Sequence, residues 1–294
     1  MTSSAALRLL LLSAIWGASF IFFRIIAPVL GAIWTAQGRV LIAGLALLLL
    51  ALVMRSRLEW RRYGLWIAGI GILNSGIPFA LIAFAELRLT ASMAAILNAT
   101  SPLWGALVGT VFFKETFNLF KGVGLALGIV GVVVLVGWSP LEAGWMTTLS
   151  ILAMLTATLC YGVSSNLTKA HLQGAPLIGT VVGSQLASSV ALAPLMPFDL
   201  PRAAPDLTVL LCLLALALVC TAVAYLLYYG LILELGATRA LTVTFLAPIF
   251  GTIWSALFLN EDVTITKVIA CAVILCGAGF VTGILKPPAR AISS

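Results

Sequence analysis

The stretch Asn98-Ala-Thr-Ser-Pro102 decides how this chain reads, because it places a proline inside an otherwise apolar helix. Proline supplies no N–H, so the carbonyl four residues earlier, that of Asn98, loses its helical partner. The stretch Thr244-Phe-Leu-Ala-Pro248 repeats the arrangement and frees the carbonyl of Thr244. In hydrocarbon, freed backbone groups persist only where protein or a water-filled cavity satisfies them. Two such breaks, in register in two halves of one sequence, predict a binding cavity at the bilayer midplane. The plainer alternative is a pair of kinked helices mended by neighbouring Ser and Thr.

Composition sets the class. Of 294 residues, 62% are hydrophobic and 9% charged, with a mean hydropathy of +1.19. Soluble domains carry about a quarter charged residues, so this chain lacks the polar surface to face water all round. The formal charge of +7 sits in short loops between apolar runs. That is the distribution of the positive-inside rule and not of a phosphate-binding face, so no nucleic-acid partner is expected. Cys160, Cys212, Cys220, Cys271 and Cys276 lie in apolar runs without metal-ligand spacing and read as small buried hydrophobes.

Apolar runs of about 20 residues predict an all-α polytopic membrane protein with ten transmembrane helices. They fall at 6–26, 30–54, 64–86, 91–113, 118–138, 145–168, 176–197, 207–233, 238–258 and 263–285. The first is read as an uncleaved helix and not as a signal peptide. With the N-terminus inside, eleven basic residues are cytoplasmic: Arg8, Arg55, Arg57, Arg61, Arg62, Lys114, Lys121, Lys169, Arg239, Lys286 and Arg290. Four lie opposite (Arg24, Arg88, Arg202 and Lys267), which predicts both termini cytoplasmic in a cell (inner or plasma) membrane.

A shift of about 145 residues lays Trp16-Gly17 on Tyr161-Gly162, Pro102 on Pro248, Glu115 on Glu261, Lys121 on Lys267 and Gly131 on Gly277. The chain therefore divides into repeats at 1–140 and 141–294, five spans each. Five is odd, so the second copy is expected to be inverted, with substrate reached from either side in turn.

These residues also resemble a known family. Ser13-Ala-Ile-Trp-Gly-Ala-Ser-Phe20, Gln37-Gly-Arg-Val-Leu-Ile-Ala43, and Leu89 to Thr116 with its Ala-Ser-Met-Ala-Ala, Ser-Pro-Leu and Phe-Phe-Lys-Glu-Thr segments resemble the EamA type of the drug/metabolite transporter superfamily. Ala237 to Asp262 matches the fourth-helix pattern again. The resemblance implies ten helices in two inverted five-helix repeats and export of metabolites or drugs, and it extends to the YddG type of aromatic amino-acid exporter. Ser184 stands where Arg39 stands in the first half, so the arginine is not duplicated.

Candidate substrate-binding residues follow from depth and chemistry. A third break at Pro78 frees the carbonyl of Asn74, while the eighth span offers Thr221 there without a proline. Trp16, Phe20, Phe79, Tyr161 and Tyr225 supply ring faces, and Asn98, Ser165 and Thr244 supply small polar groups. Arg39 is an ion deep in a span, at a cost of about 2.5–3.5 kcal/mol on insertion scales, and needs a partner or a wet cavity. It could hold break carbonyls, pair with Glu86 or receive a substrate carboxylate. Glu115 and Glu261 read as interfacial anchors or gate-side ion pairs, and His171 as a solvated loop residue.

The expectation is an exporter of small metabolites working by alternating access, with neutral or aromatic amino acids as cargo. A broad drug exporter is the alternative. Catalysis, a cofactor and a metal are not expected, since no cluster of Asp, Glu or His lies near the interface. The partners are a small-molecule substrate and the lipid bilayer, in a monomer or weak dimer.

Overall fold

The computed structural model describes residues 3–138, 144–235, 240 and 242–285. The expected repeat boundary at 140/141, the start of the ninth span, and Arg239, Lys286 and Arg290 lie outside the described residues. The helices are α1 (Ser3–Leu30), α2 (Ala32–Val53), α3 (Trp60–Ala85), α4 (Ala91–Phe112) and α5 (Leu119–Gly137). They continue as α6 (Trp145–His171), α7 (Leu177–Phe198), α8 (Leu207–Leu235), α9 (Val243–Leu259) and α10 (Ile265–Thr282). Among the described residues, nine are long and apolar enough to cross a bilayer, and α9 is a shorter apolar helix. Leu65, Phe112, Ile129 and Leu233 stand exposed on outer faces, as a hydrocarbon solvent allows.

Polar caps mark several helix starts. Thr90 accepts from the Met93 N–H, Asn118 from Lys121, Asp206 from Val209 and Thr264 from Lys267. Each satisfies an N–H that the first turn of a helix leaves without a partner. The ends of α4 and α9 also match. Lys114 and Asn260 adopt left-handed backbone, with φ of 56° and 51°. The following Glu115 and Glu261 N–H groups return to the carbonyls of Gly109 and Ser255. This six-residue return closes both helices in the same way.

The three expected breaks differ in form. At Pro102, α4 is interrupted between Asn98 and Ser101, and the freed Asn98 carbonyl accepts from the Ser101 hydroxyl at 2.7 Å. The mended-kink alternative therefore holds for that carbonyl. At Pro248, α9 runs through without interruption; Thr-Ser precedes the first proline, and Leu-Ala precedes the second. In α3 the segment Ile72–Gly76 before Pro78 is π-helical. In α8 the segment Ala215–Val223 is π-helical without any proline. The expected difference between those two spans is thus confined to sequence, because a wide turn forms in both. Its bonding pattern explains how α8 manages this: the Thr221 hydroxyl donates to the Leu216 carbonyl at 2.9 Å, filling an acceptor that the wide turn leaves short.

Packing follows reciprocal pairs. Gly17 of α1 lies against Gly251 of α9, and Gly162 of α6 lies against Gly105 of α4. Helix α2 rests on the π turn of α8, and α7 rests on the π turn of α3. Helices α5 and α10 pack antiparallel: Gly124 meets Gly277 and Val281, whereas Gly131 meets Ile274 and Ala270. The glycine stripe of α5 is thus used within the chain. Contrary to the expectation that all five cysteines are buried, Cys220 is buried, Cys160, Cys212 and Cys271 are half-buried, and Cys276 is exposed. His171 is the last residue of α6, stacked on Trp66 at 3.6 Å between centroids, and not a loop residue.

A Cβ at Gly277 would lie 2.6 Å from the Gly124 carbonyl oxygen, with backbone on both sides of the contact. Gly277→Leu is therefore expected to destabilise the fold by about 1–3 kcal/mol or more through overpacking. A lowered melting temperature in detergent, against an unchanged one for a substitution at exposed Ile129, checks this.

Candidate functional site

The deepest charge organises the centre. Arg39, on the buried face of α2, is 6% exposed. Its Nε donates to the Thr221 hydroxyl in the π turn of α8 at 2.9 Å. Its guanidinium lies 3.7 Å over the Phe79 ring and 5.1 Å from the Phe23 ring centroid, an arrangement that stabilises a desolvated cation. Tyr161, Tyr225 and Cys220 are within its electrostatic reach. Among the described residues no carboxylate is within ion-pair distance, and no acceptor takes the Nη hydrogens. The expected alternative of an Arg39–Glu86 pair is not formed, because Glu86 closes the far end of α3.

Around that charge the two halves meet through side chains. Asn74, in the π turn of α3, donates from Nδ2 to the Tyr225 hydroxyl at 3.3 Å and accepts from Ser164 at 3.1 Å. Trp16 faces Tyr228 at 5.2 Å and Tyr225 edge-on at 6.5 Å. Trp16, Asn74, Phe79, Tyr225, Thr221 and Arg39 therefore form one connected group, with Tyr161 beside it. The other candidates are placed differently. Phe20 is buried in the apolar core beside Gly251. Ser165 is exposed and donates to the Gly162 carbonyl of its own helix, because its position on α6 is one step off the buried face held by Ser164. The Asn98 Oδ1 is buried and lacks a hydrogen-bond donor. Thr244 lies in the first turn of α9. The two best-formed cavities, about 280 Å³ at Phe84, Arg88, Ser150 and Arg202 and about 260 Å³ at Trp60 and Leu186, lie away from Arg39.

Sequence reasoning missed several partners. Gln37 donates to Ser189, Gln185 to Ser75 at 3.0 Å, and Ser188 to the Gly71 carbonyl at 3.0 Å. Where α2 sends Arg39 to the π turn of α8, α7 sends Gln185 and Ser188 to that of α3. The available signal was two lone amides in apolar runs, since a buried amide must find partners.

Each end of the bundle carries an ionic cluster. At one end Lys169 and Lys121 reach the Glu115 carboxylate at 2.8 and 3.2 Å, and Arg8 pairs with Glu234. At the other, the Glu261 carboxylate accepts from the N–H groups of Ala91 and Ser92 at 2.7 and 3.0 Å and from the Ser92 hydroxyl. Lys267 holds the same Ser92 hydroxyl at 2.8 Å. Glu115 is thus an ion pair as expected. Glu261 instead caps the start of α4, where the first-turn N–H groups and the helix dipole favour a carboxylate.

A bundle of apolar helices around a buried, uncompensated cation defines a polytopic membrane protein with a polar centre. The model of the EamA-like transporter family matches residues 3–137 and again 148–283, so the chain belongs to that family, within the drug/metabolite transporter superfamily. It is similar to an uncharacterized transporter of Archaeoglobus fulgidus, 21% identical over 89% of this chain and 92% of that one. It is also similar to the uncharacterized transporter YoaV of Bacillus subtilis, 19% identical over 92% and 94% of the two chains. A WAT1-related chloroplastic protein of Arabidopsis thaliana is 24% identical over 88% of this chain and 65% of its own. One solved crystal structure, 20% identical and covering 97% of this chain and 98% of that one, superposes with a TM-score of 0.68, which shows a shared fold. The protein is a multi-pass membrane transporter.

The hydrogen bond from Lys169 holds the Glu115 carboxyl below its ordinary value of 4.5, against a smaller effect of burial. A depressed value makes the folded state favour the ionised form. Its stabilisation is present above the ordinary value and lost as pH falls through the depressed one. Lys169 is well exposed, so the effect is small. Glu115→Gln is expected to lower the melting temperature slightly at neutral pH and leave it unchanged in acid, which flattens the acid limb of the profile.

Proposed function

We propose that this protein exports small metabolites by alternating access and that its cargo is neutral and aromatic amino acids, the YddG-like specificity. The observation that carries the reading is Arg39: a guanidinium deep in a span, flanked by rings, with its Nη hydrogens unclaimed among the described residues. A substrate carboxylate is the complement of such a group, since bidentate charge-assisted bonds are strongest away from water. Trp16 and Tyr228 offer ring faces for an apolar side chain. The buried Asn98 Oδ1 offers an acceptor for an ammonium. A lipophilic cation would meet repulsion from Arg39, which disfavours the broad drug-exporter alternative. Trp16, Phe20, Asn74, Phe79, Asn98, Tyr161, Ser165, Thr221, Tyr225 and Thr244 remain the proposed lining, with Phe20 and Ser165 reached only after rearrangement.

Two inverted five-helix copies, 1–140 and 141–294, would supply the motion. The reciprocal contacts of Gly17 with Gly251 and Gly105 with Gly162 support this reading, because exchange of the copies maps one contact onto the other. The clusters at opposite ends support a cell-membrane orientation with cytoplasmic termini. Internal use of the α5–α10 seam favours a monomer, and no catalytic role is assigned.

Purified protein in liposomes is expected to carry labelled phenylalanine, tryptophan or leucine. Arg39→Ala should reduce flux about 10–100-fold, the loss of one or two charge-assisted hydrogen bonds, and Arg39→Lys should recover part of it. Trp16→Ala should weaken aromatic cargo more than alanine. Absence of flux for every aromatic and aliphatic amino acid would overturn the proposed cargo.

A further inference from the structure

One buried titratable group plays no part in that site. Glu86, which closes α3, is 0% exposed, and neither carboxyl oxygen has a hydrogen-bond partner. Its surroundings explain why it stays unpartnered. Arg24 of α1 reaches the end of α3 but donates from Nη1 to the Glu86 backbone carbonyl and not to its carboxyl oxygens. The Ala91 and Ser92 N–H groups that open α4 are both taken by Glu261. Lys267 of α10 is spent on the Ser92 hydroxyl and the Asp262 carbonyl.

The charged groups around Glu86 are Arg24 from α1, Glu261 from the turn after α9, Arg88 two residues on, whose side chain is exposed, and Arg202 from the loop after α7, which lines a cavity with Phe84, Leu87 and Arg88. Lys267 and Asp262 lie behind Ser92. Helices α2, α4 and α6, which also reach this end, bring no titratable side chain to it among the described residues. None of these cations donates to a Glu86 carboxyl oxygen, so a Glu86 carboxylate would be dry and unpartnered, with Glu261 nearby. A dry, unpartnered carboxylate beside a second carboxylate is neutralised in preference to being borne as a charge.

A proton suits the place better than a metal ion. Hard cations take about six oxygen ligands, and the described residues hold no group of three or more His, Cys, Asp or Glu. A proton needs one oxygen.

We propose that Glu86 is a proton-binding site whose occupancy is coupled to closure of the bundle end where Glu261 caps α4. While that end is closed, the carboxyl is neutral. When Glu261 leaves the α4 N-terminus and water enters, the Glu86 O–H bond breaks, the proton passes to water, and the carboxylate is left hydrated. Because the closed state binds the proton more tightly, acid favours closure and closure is lost as pH rises. For one proton the closed-to-open ratio changes by up to about tenfold per pH unit. A transporter with such a group at one mouth would open that mouth according to the pH it faces.

The test uses purified full-length protein in lipid and needs no substrate, so it fails or succeeds independently of the proposed cargo. Infrared spectra at neutral pH are expected to show a protonated carboxyl C=O band that disappears in Glu86→Gln and shifts in Glu86→Asp. Hydrogen exchange across residues 87–93, corrected for the intrinsic pH dependence of amide exchange, should lose protection up to about tenfold per pH unit above neutrality in the parent. It should change less than about twofold in Glu86→Gln, whose amide imitates the neutral acid. If Glu86→Gln does not fold, Glu86→Asp and the parent's own titration still decide. A parent spectrum with no protonated carboxyl assignable to position 86 overturns the proposal. So does protection at 87–93 that is independent of pH while the band titrates.

Discussion

A peptide group inside hydrocarbon has no water to turn to, and everything distinctive in this bundle follows from how its exceptions are met. Ordinary helix satisfies most of the backbone. Where proline or a wide turn breaks the ladder, a side chain one turn away takes over: Ser101 bonds the Asn98 carbonyl, and Thr221 bonds that of Leu216. These repairs place hydroxyls, amides and one guanidinium at the depth where the two halves face each other. The polar centre is thus a consequence of keeping broken backbone bonded, and it is also the chemistry available to a substrate.

Arg39 shows how the same constraint governs charge. Its burial is offset locally by the Thr221 hydroxyl and the Phe79 ring face, neither of which neutralises it. The second half meets the equivalent place with Gln185 and Ser188, uncharged groups that bond Ser75 and the Gly71 carbonyl. Small Ser184 in place of an arginine also lets the α3 backbone approach closely at Gly71. Two halves of similar architecture therefore build one charged and one neutral wall.

The two ends are likewise built from one motif used differently. Glu115 and Glu261 follow matching left-handed turns and identical backbone returns. One carboxylate is held by two lysines, and the other sits on the opening N–H groups of α4. Capping a helix in another part of the chain ties two elements that would separate if that end opened. The spare carboxyl of Glu86 lies beside that tie and not beside the lysine-held one, so the ends differ in their response to protons.

The class, the positions of the spans, the internal repeat and the break at Asn98–Pro102 were legible in the residues alone. Apolar run length, proline and cap residues act locally, and their effects do not depend on which helix lies opposite. The π turn of α8 was not legible, because no proline or glycine announces it. Nor was the grouping of Trp16, Asn74, Tyr225 and Arg39 to the exclusion of Ser165, because one step around a helix separates a buried face from an exposed one. Sequence by itself determined a chain of successive apolar helices with polar residues set among them. Only the tertiary structure decided that Arg39 meets Thr221, that Glu261 caps α4 and that Glu86 is left without a partner, because in lipid small and apolar faces pack with many neighbours and the choice among them is made by close fit across the whole bundle.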